Sequence, residues 1–239
     1  MLDQQHLLSD PPAHDELLFI QIHQVFELWF KQVLFELETI RDALFADDVH
    51  ASRHYLQRVH AIQRVLIEQI EVLETMSPQD FLEFRTHISP ASGFQSVQFR
   101  EIEFLSGSKD PGYVGRLDLD DDERARLEKR LSDPTLWDGF LALLEGRGLP
   151  MPVEDEIARR GSLLTMARDK SELLDVFYLS ESLLTYDELF SLWRQRHVLM
   201  VERMIGSKTG TGGSTGASYL RTTLDKRFYP ELWALRSYL

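Results

Sequence analysis

The sequence predicts an all-α fold organised as a single-domain helical bundle. Apolar residues recur at three- and four-residue spacing along most of the chain, and no segment alternates apolar and polar residues as a half-buried strand would. The chain has 239 residues and no internal repeat, and this length buries a core without a disulfide or a metal to support it. We therefore expect one domain over residues 1–239.

The first half of the chain predicts four helices. The first should be central, because twelve of the eighteen residues 17–34 are apolar and leave almost no polar face. Ser77, Pro78 and Asp80 are typical of a helix start, with a capping hydroxyl, a proline in the first turn and an early acid. The expected helices cover residues 15 to about 45, 51–76, 78–88 and 94–105.

The second half alternates helices with loops. Five of the thirteen glycines fall within 206–216, which must be a loop because each glycine inside a helix costs about 1 kcal/mol relative to alanine. We expect 106–169 to be a surface excursion or a variable helical insertion. The expected elements are a loop at 106–119, an exposed charged helix at 120–131, helices at 137–144 and 170–205, a linker at 146–152, and last helical parts near 218–225 and 230–239.

The composition of the chain excludes several classes of partner and of catalytic or metal site. With 26 Lys and Arg against 39 Asp and Glu, the net charge of −13 repels phosphate backbones and anionic lipid, so we expect neither nucleic acid nor membrane as a partner. The absence of cysteine excludes zinc ribbons, iron–sulfur ligation and cysteine nucleophiles. No signal peptide opens the sequence and no 18-residue stretch is free of charge, so we expect a cytoplasmic protein.

Two histidines lie on apolar helix faces, and each allows two interpretations. His23 shares a stripe with Phe19 in the first helix, either as a core histidine or as an imidazole acting in an apolar pocket. His197 follows Trp193 at helical spacing and stands beside Arg194 and Arg196. It is either a structural histidine or an iron ligand, with the arginines meeting the propionates of a haem.

Arg85 and the glycine-rich loop point to a ligand. Arg85 lies on an otherwise apolar stripe and must find an anion, either a structural glutamate or the carboxylate of a substrate. The loop is not a phosphate-binding loop, because Lys208 precedes the glycines and no strand precedes the loop. Its small hydroxyl side chains suit a segment that closes over a ligand.

Four segments in the same order give the chain a family resemblance. They are HDELLFIQIHQVFELWFKQ (14–32), SPASGFQSVQFR (89–100), LWRQRH (192–197) and GTGGSTG (210–216). Together they resemble the tryptophan 2,3-dioxygenase family. The resemblance runs from about residue 8 to the C-terminus and is weakest between 108 and 169.

The resemblance implies a helical bundle that holds one haem b per subunit between helices and assembles as a homotetramer. It implies insertion of both atoms of O₂ across the C2–C3 bond of the L-tryptophan indole, which gives N-formyl-L-kynurenine and opens the kynurenine route of tryptophan catabolism. One alternative is a related haem monooxygenase that acts on a tryptophan or indole derivative in a biosynthetic pathway. Others are a non-catalytic haem- or indole-binding module and an acidic helical scaffold without a cofactor.

The family's functional positions match individual residues of this chain. His197 matches the axial haem iron ligand, and His23 matches the distal histidine, a catalytic residue that accepts a hydrogen bond from the indole N–H. Arg85 matches the clamp for the substrate carboxylate, and Thr211 matches the loop hydroxyl near the ammonium and carboxylate. The other matches are pocket positions around the substrate: Phe19, Phe81, Ile88, Ser92 and Gly93.

One part of the family pattern has no match. Relatives usually begin with a leader that carries two tyrosines and reaches into the active site of a neighbouring subunit, whereas this sequence begins MLDQQHLL. A late start assignment, trimming or a real loss would each produce this difference. We expect weaker tryptophan binding than in a full-length relative, to be tested by restoring a leader and comparing Michaelis constants.

Overall fold

The computed structural model describes residues 3–89, 92–211 and 215–239. Within these ranges every regular element is a helix and no strand forms, which confirms the all-α prediction. The helices are α1 (Glu16–Phe45), α2 (Val49–Leu73), α3 (Pro78–Phe84), α4 (Val97–Leu105), α5 (Gly112–Arg116), α6 (Asp121–Ser132), α7 (Leu136–Gly146), α8 (Glu156–Arg168), α9 (Leu174–Ile205), α10 (Ala217–Arg221) and α11 (Pro230–Leu235), with a 3-10 turn at Gly93–Gln95.

The three longest helices form the centre of the bundle. Helix α2 packs against both α1 and α9, and α1 also packs against α7 and α4. The α2 face that meets its neighbours carries Leu56, Val59 and Leu66, all buried and spaced by three or seven residues. Gly139 allows α7 to approach α1 closely, because a Cβ at this position would lie 3.0 Å from the Leu44 Cβ.

The predicted start of α3 is confirmed in detail. The Ser77 hydroxyl accepts a hydrogen bond from the Asp80 amide at 3.2 Å, and the Asp80 carboxylate accepts one from the Ser77 amide at 3.0 Å. The helix ends at Phe84, before the expected Ile88. The chain tightens there into a turn, in which the His87 amide donates to the Phe84 carbonyl at 2.9 Å.

The second half of the chain differs from the expectation in three places. The expected loop at 106–119 contains α5, and the unassigned residues before Asp169 form α8. The charged helix α6 is not wholly exposed, because Leu127 is fully buried and Leu131 packs against the same cluster. Helix α9 begins at Leu174, four residues later than the periodicity suggests.

Much of 106–169 belongs to the bundle. Helices α7 and α8 place Leu136, Phe140, Leu163 and Met166 in the same buried cluster as α1, α2 and α9. This corrects the surface-excursion interpretation for these two helices, since each has one apolar face that must be covered. That 106–169 is a variable insertion stays a prediction.

A buried carboxylate connects the C-terminal segment to α9. One Asp187 oxygen, Oδ2, accepts hydrogen bonds from the amides of Phe228 and Tyr229 and from the indole N–H of Trp233, at 2.9–3.1 Å. Three donors thus meet on one oxygen of a carboxyl group that has no contact with solvent. No helix in the part of the chain that the structure describes has the length and apolar character needed to cross a bilayer.

Candidate functional site

A cavity of about 1250 Å³ lies between α1, α3, α4 and α9, with the glycine-rich loop and α10 at its edge. Typical small-molecule pockets measure roughly 300–1,000 Å³, so this one has room for more than one small ligand. All nine residues that the sequence predicts for the site line this single cavity. They are Phe19, His23, Phe81, Arg85, Ile88, Ser92, Gly93, His197 and Thr211.

His23 is a neutral imidazole with a fixed tautomer. Its Nδ1 lies 2.7 Å from the carbonyl oxygen of Phe19, one turn earlier in α1, and a carbonyl can only accept, so Nδ1 carries the proton. Burial lowers the pKa of His23 and keeps the ring uncharged. The Phe19 ring lies against it at 4.1 Å between centroids. The other nitrogen, Nε2, is therefore a hydrogen-bond acceptor at the cavity wall.

His197 is an imidazole without a hydrogen-bond partner among the residues that the structure describes. Its ring stacks on Trp193, one turn earlier in α9, at 5.3 Å and 8° between planes. Burial, together with a smaller contribution from the nearby His23, lowers the pKa of His197 to about 4. A neutral imidazole that is held in position and has a free lone pair has the properties of a metal ligand.

Arg85 joins α3 to the glycine-rich loop. Its Nη2 donates to the Thr209 carbonyl at 2.7 Å, and the neighbouring Ser89 hydroxyl donates to the Thr211 carbonyl at 3.2 Å. The structural interpretation of Arg85 as the partner of a glutamate is not supported, because no described acid forms an ion pair with it. The guanidinium remains half-buried at the cavity with donors available for an anion.

The two ends of the glycine-rich loop depend on left-handed backbone angles. Gly206 ends α9 with φ +59° and Gly216 precedes α10 with φ +66°. A Cβ at Gly216 would collide with the Lys208 carbonyl oxygen, so the two ends of the loop meet where only glycine fits. Residues 212–214 of the GTGGSTG motif lie outside the described residues.

The cavity is positively charged inside an acidic protein. Its lining has five cationic side chains and three carboxylates, whereas the whole chain carries a net charge of −13. Such a local excess attracts anions. The cations are Lys31, Arg85, Arg100, Arg126 and Arg194, and the carboxylates are Glu27, Glu103 and Glu123.

Comparison with known proteins assigns the family. The sequence model described as tryptophan 2,3-dioxygenase matches residues 1–145 and 154–239. The tryptophan 2,3-dioxygenase of a Nocardioides species is 57% identical over 244 residues, covering 100% of this chain and 91% of the relative. The chain belongs to the tryptophan 2,3-dioxygenase family. The enzymes of that name from Herpetosiphon aurantiacus and Serratia proteamaculans are 45% and 41% identical, each over 99% of this chain, covering 94% and 89% of the relative.

The residues around the cavity fit the haem that the tryptophan 2,3-dioxygenase family implies. His197 would offer the iron a nitrogen that has no other partner among the described residues, and aromatic and aliphatic side chains of α1, α4 and α9 line the walls. A haem also brings two carboxylates, and the cationic excess of the lining suits them. His23 and His197 both line this cavity, and His23 lies near enough to lower the pKa of His197.

The arginine at position 100 is a cavity residue that the sequence analysis missed. Arg100 is 5% exposed and lines the cavity together with Glu103 and Arg194. The signal was present in the SPASGFQSVQFR motif that contributed to the tryptophan 2,3-dioxygenase resemblance, but nothing in the sequence marked its last residue as buried. Of the two arginines expected beside the haem, Arg194 is at the cavity. Arg196 is not, because it pairs with Glu71 of α2 and with Glu74 directly after that helix.

Proposed function

We propose that this chain is a haem-dependent tryptophan 2,3-dioxygenase that converts L-tryptophan and O₂ to N-formyl-L-kynurenine in tryptophan catabolism. The observation that carries the proposal is the meeting of His23, His197 and Arg85 in one cavity. The three residues come from three different elements, and their side chains offer an acceptor, a metal ligand and an anion clamp. A protein that only carried haem would not need the last of these.

His197 is the proposed axial ligand of one haem b per subunit. Its stack on Trp193 fixes the ring plane, and its low pKa keeps the imidazole neutral over the physiological range. The haem, when bound, supplies the activation of O₂. The indole ring is itself the reductant of this reaction, and both oxygen atoms end in the product, so the chain needs no nicotinamide or flavin site.

His23 is proposed to orient the indole. Its Nε2 accepts the indole N–H, because the bond from Nδ1 to the Phe19 carbonyl leaves only that nitrogen unprotonated. The Phe19 ring, 5.6 Å from the ring of Phe81, forms an aromatic wall against which the indole can pack. Ile88, Ser92 and Gly93 complete the proposed walls of the substrate pocket.

Arg85 and Thr211 are proposed to bind the amino acid part of the substrate. The bond from Nη2 to the Thr209 carbonyl uses one guanidinium donor, and the remaining N–H groups can meet a carboxylate in two-point geometry. The Thr211 hydroxyl belongs to the same loop and lines the same cavity, which suits a contact with the ammonium or carboxylate. Together the two residues hold C2 and C3 of the indole in place for reaction.

The homotetramer implied by the resemblance is part of the proposal. Helix α1 carries Val25, Leu28 and Phe35 on its exposed side, and Phe35 is 63% exposed. Apolar side chains gathered on one helix face are typical of a surface that another chain covers. Analytical ultracentrifugation would show a tetramer that Phe35→Glu weakens, and a monomer at micromolar concentration would refute this part.

The first experiment is a reconstitution under anaerobic conditions. The protein is loaded with haem and reduced, then given air and L-tryptophan while absorbance is recorded and the product is weighed by mass spectrometry. A Soret band with a product heavier by both atoms of O₂ is the expected result. A product heavier by one oxygen atom would favour the monooxygenase alternative, for which the comparisons offer no support.

Two other outcomes would contradict the proposal. A Soret band without turnover would indicate a haem- or indole-binding module that retains the fold. A colourless protein that takes up no haem would leave only the acidic helical scaffold. In that case the assignment of His197 would fail together with the cofactor.

A further inference from the structure

We propose that Arg100, supported by Glu103 and Arg194, forms a second carboxylate-binding position in the cavity, separate from Arg85, and that it holds a propionate of the haem. The inference rests on the proposed function, because it assigns residues to the cofactor of that site. It concerns a cluster joining α4 to α9, here called the arginine triad and defined as Arg100, Glu103 and Arg194.

The hydrogen bonds of the arginine triad leave donors of Arg100 without an acceptor. Arg194 has two acceptors, since Nη2 donates to the Glu103 carboxylate at 3.0 Å and Nη1 donates to the Lys226 carbonyl at 3.2 Å. Arg100 Nη1 donates to the other Glu103 oxygen at 2.5 Å. Among the residues that the structure describes, Nε and Nη2 of Arg100 have no hydrogen-bond partner, and Nε is fully buried.

The net charge of the arginine triad also indicates that an anion binds there. The two guanidinium groups and one carboxylate leave the arginine triad with an excess of one positive charge, and its side chains are at most 6% exposed. A buried charge without a partner is costly, and one buried arginine donor without an acceptor adds to that cost. A carboxylate in the cavity would satisfy both, because it brings the missing charge and two acceptor oxygens.

The surroundings of Arg100 hold its guanidinium in one place. It lies over the rings of Tyr113, Phe99 and Phe94 at 4.1, 5.1 and 5.5 Å from the ring centroids. The Tyr113 hydroxyl is bonded in turn to the Tyr219 hydroxyl at 2.8 Å, which connects this region to α10. A guanidinium fixed by three rings cannot swing across the cavity to help Arg85, so the two arginines serve different carboxylates.

Position favours the haem over the amino acid as the source of that carboxylate. Arg194 precedes His197 by three residues in α9, and the two lie on neighbouring positions of one helix face. Arg85 belongs instead to the wall that carries Phe81 and the glycine-rich loop. A macrocycle ligated by His197 therefore brings its own carboxylates towards the arginine triad.

The test compares two porphyrins that differ only in their carboxylates. Apoprotein is titrated with haemin and with haemin dimethyl ester from the same solvent stock, and the dissociation constants are taken from the Soret band. The wild type should bind haemin at least about tenfold more tightly than the ester, because a charge-assisted hydrogen bond contributes that much or more. Arg100→Met should weaken haemin binding at least about tenfold and leave the dissociation constant of the ester unchanged.

Two further variants act as controls. Glu103→Gln raises the positive excess of the arginine triad and should tighten haemin binding without changing ester binding. Arg196→Gln removes an arginine of the same helix that pairs with α2 outside the cavity, and should change neither constant. The ester also reports folding, since a damaged protein would lose affinity for both porphyrins.

The possible failures are distinct. Equal loss on haemin and ester in Arg100→Met would show that Arg100 supports the fold and would overturn the inference. So would unchanged porphyrin constants together with weaker L-tryptophan binding, which would assign the carboxylate to the amino acid. A wild type that binds haemin and ester equally would overturn the inference alone, whereas one that binds neither would remove the proposed function with it.

Discussion

The two walls of the cavity are built differently. On the α9 side, His197 stacks on Trp193 and Arg194 is held by a buried carboxylate, so side chains fix one another within packed helices. On the α3 side, Arg85 is half-buried and is held through the main-chain carbonyl of Thr209. A cofactor that stays bound suits the first wall. A substrate that arrives and leaves suits the second, where a carboxylate can share or replace a hydrogen bond to the loop.

The largest effect should follow from removing the fixed imidazole of the α9 wall. His197→Ala should abolish stable haem binding, because no other residue is proposed as axial ligand, and the Soret band should disappear. His23→Ala, on α1 across the cavity, is the matched control and should retain the band while turnover is lost. A normal Soret spectrum in His197→Ala would disprove the ligand assignment.

A change on the α3 wall should weaken substrate binding and leave haem binding intact. Arg85→Ala should raise the Michaelis constant for L-tryptophan by roughly 10- to 150-fold, the range of a charge-assisted hydrogen bond of about 1.5–3 kcal/mol. Binding of 3-methylindole, which lacks the amino and carboxylate groups, should be spared. An equal loss on both molecules would indicate that Arg85 maintains the structure of this wall.

The loop that Arg85 contacts offers a matched pair of glycines. Gly206 and Gly216 have nearly the same backbone angles, with φ +59° and ψ −126° at one and φ +66° and ψ −134° at the other. The Cβ added by Gly206→Ala has no other atom within 4 Å, so this variant should lower the free energy of unfolding only by the backbone strain, about 1–3 kcal/mol. Gly216→Ala adds the collision with the Lys208 carbonyl and should lower the melting temperature further and raise the Michaelis constant.

Comparing Gly206→Ala with Gly216→Ala separates the effect of the collision with the Lys208 carbonyl from the effect of backbone strain. If both variants melt at the same temperature and bind L-tryptophan equally, the close approach of the two loop ends contributes nothing. Arg85 would then be the residue through which the α3 wall controls substrate binding.

The smallest effect at neutral pH should come from behind the α9 wall. His60 of α2 donates from Nε2 to the Ser182 carbonyl of α9 at 3.0 Å, and burial lowers the pKa of His60 from 6.5 to about 4. The unfolded chain takes up this proton at higher pH than the folded chain. The contribution of His60 to the free energy of unfolding is therefore fully present above pH 6.5 and is lost as the pH falls towards 4. The expected loss is about 3 kcal/mol.

His60→Gln separates this contribution from those of other groups. The amide can still donate to Ser182, so the variant should be close to wild type at pH 7 but should lack the part of the acid loss due to His60. Urea unfolding of both proteins between pH 7 and 4.5 measures the difference. Parallel curves would show that His60 titrates alike in the folded and unfolded chains.

The sequence predicts those parts of the molecule that carry their own pattern. Helices α1, α2 and α9 have long apolar stripes, and the capping residues Ser77 and Asp80 fix the start of α3. Helix α5 has only five residues and two of them are glycine, while α8 contains Gly161 and a weak apolar face. Such short helices form because neighbours cover them, which a local pattern does not reveal.

The candidate site likewise has residues that the sequence predicts and one that it does not. Residue patterns alone left His23, His197 and Arg85 each with two interpretations, and only the family resemblance named their roles. The structure brings all three to one cavity, although their roles stay predictions until tested. Arg100 was missed because its environment depends on Arg194, ninety-four positions later in the chain, and burial of that kind has no signature in a single segment.

The carboxylate of Asp187 has a consequence for the glycine-rich loop. Because it holds the amides of Phe228 and Tyr229 and the indole of Trp233 to α9, and α10 also packs on α9, the chain between α10 and α11 is attached to α9 at both ends. A segment with both ends fixed has far fewer conformations than a free tail of equal length. Asp187 lies outside the cavity lining, yet it helps to fix where Gly216 and Tyr219 stand at the cavity edge.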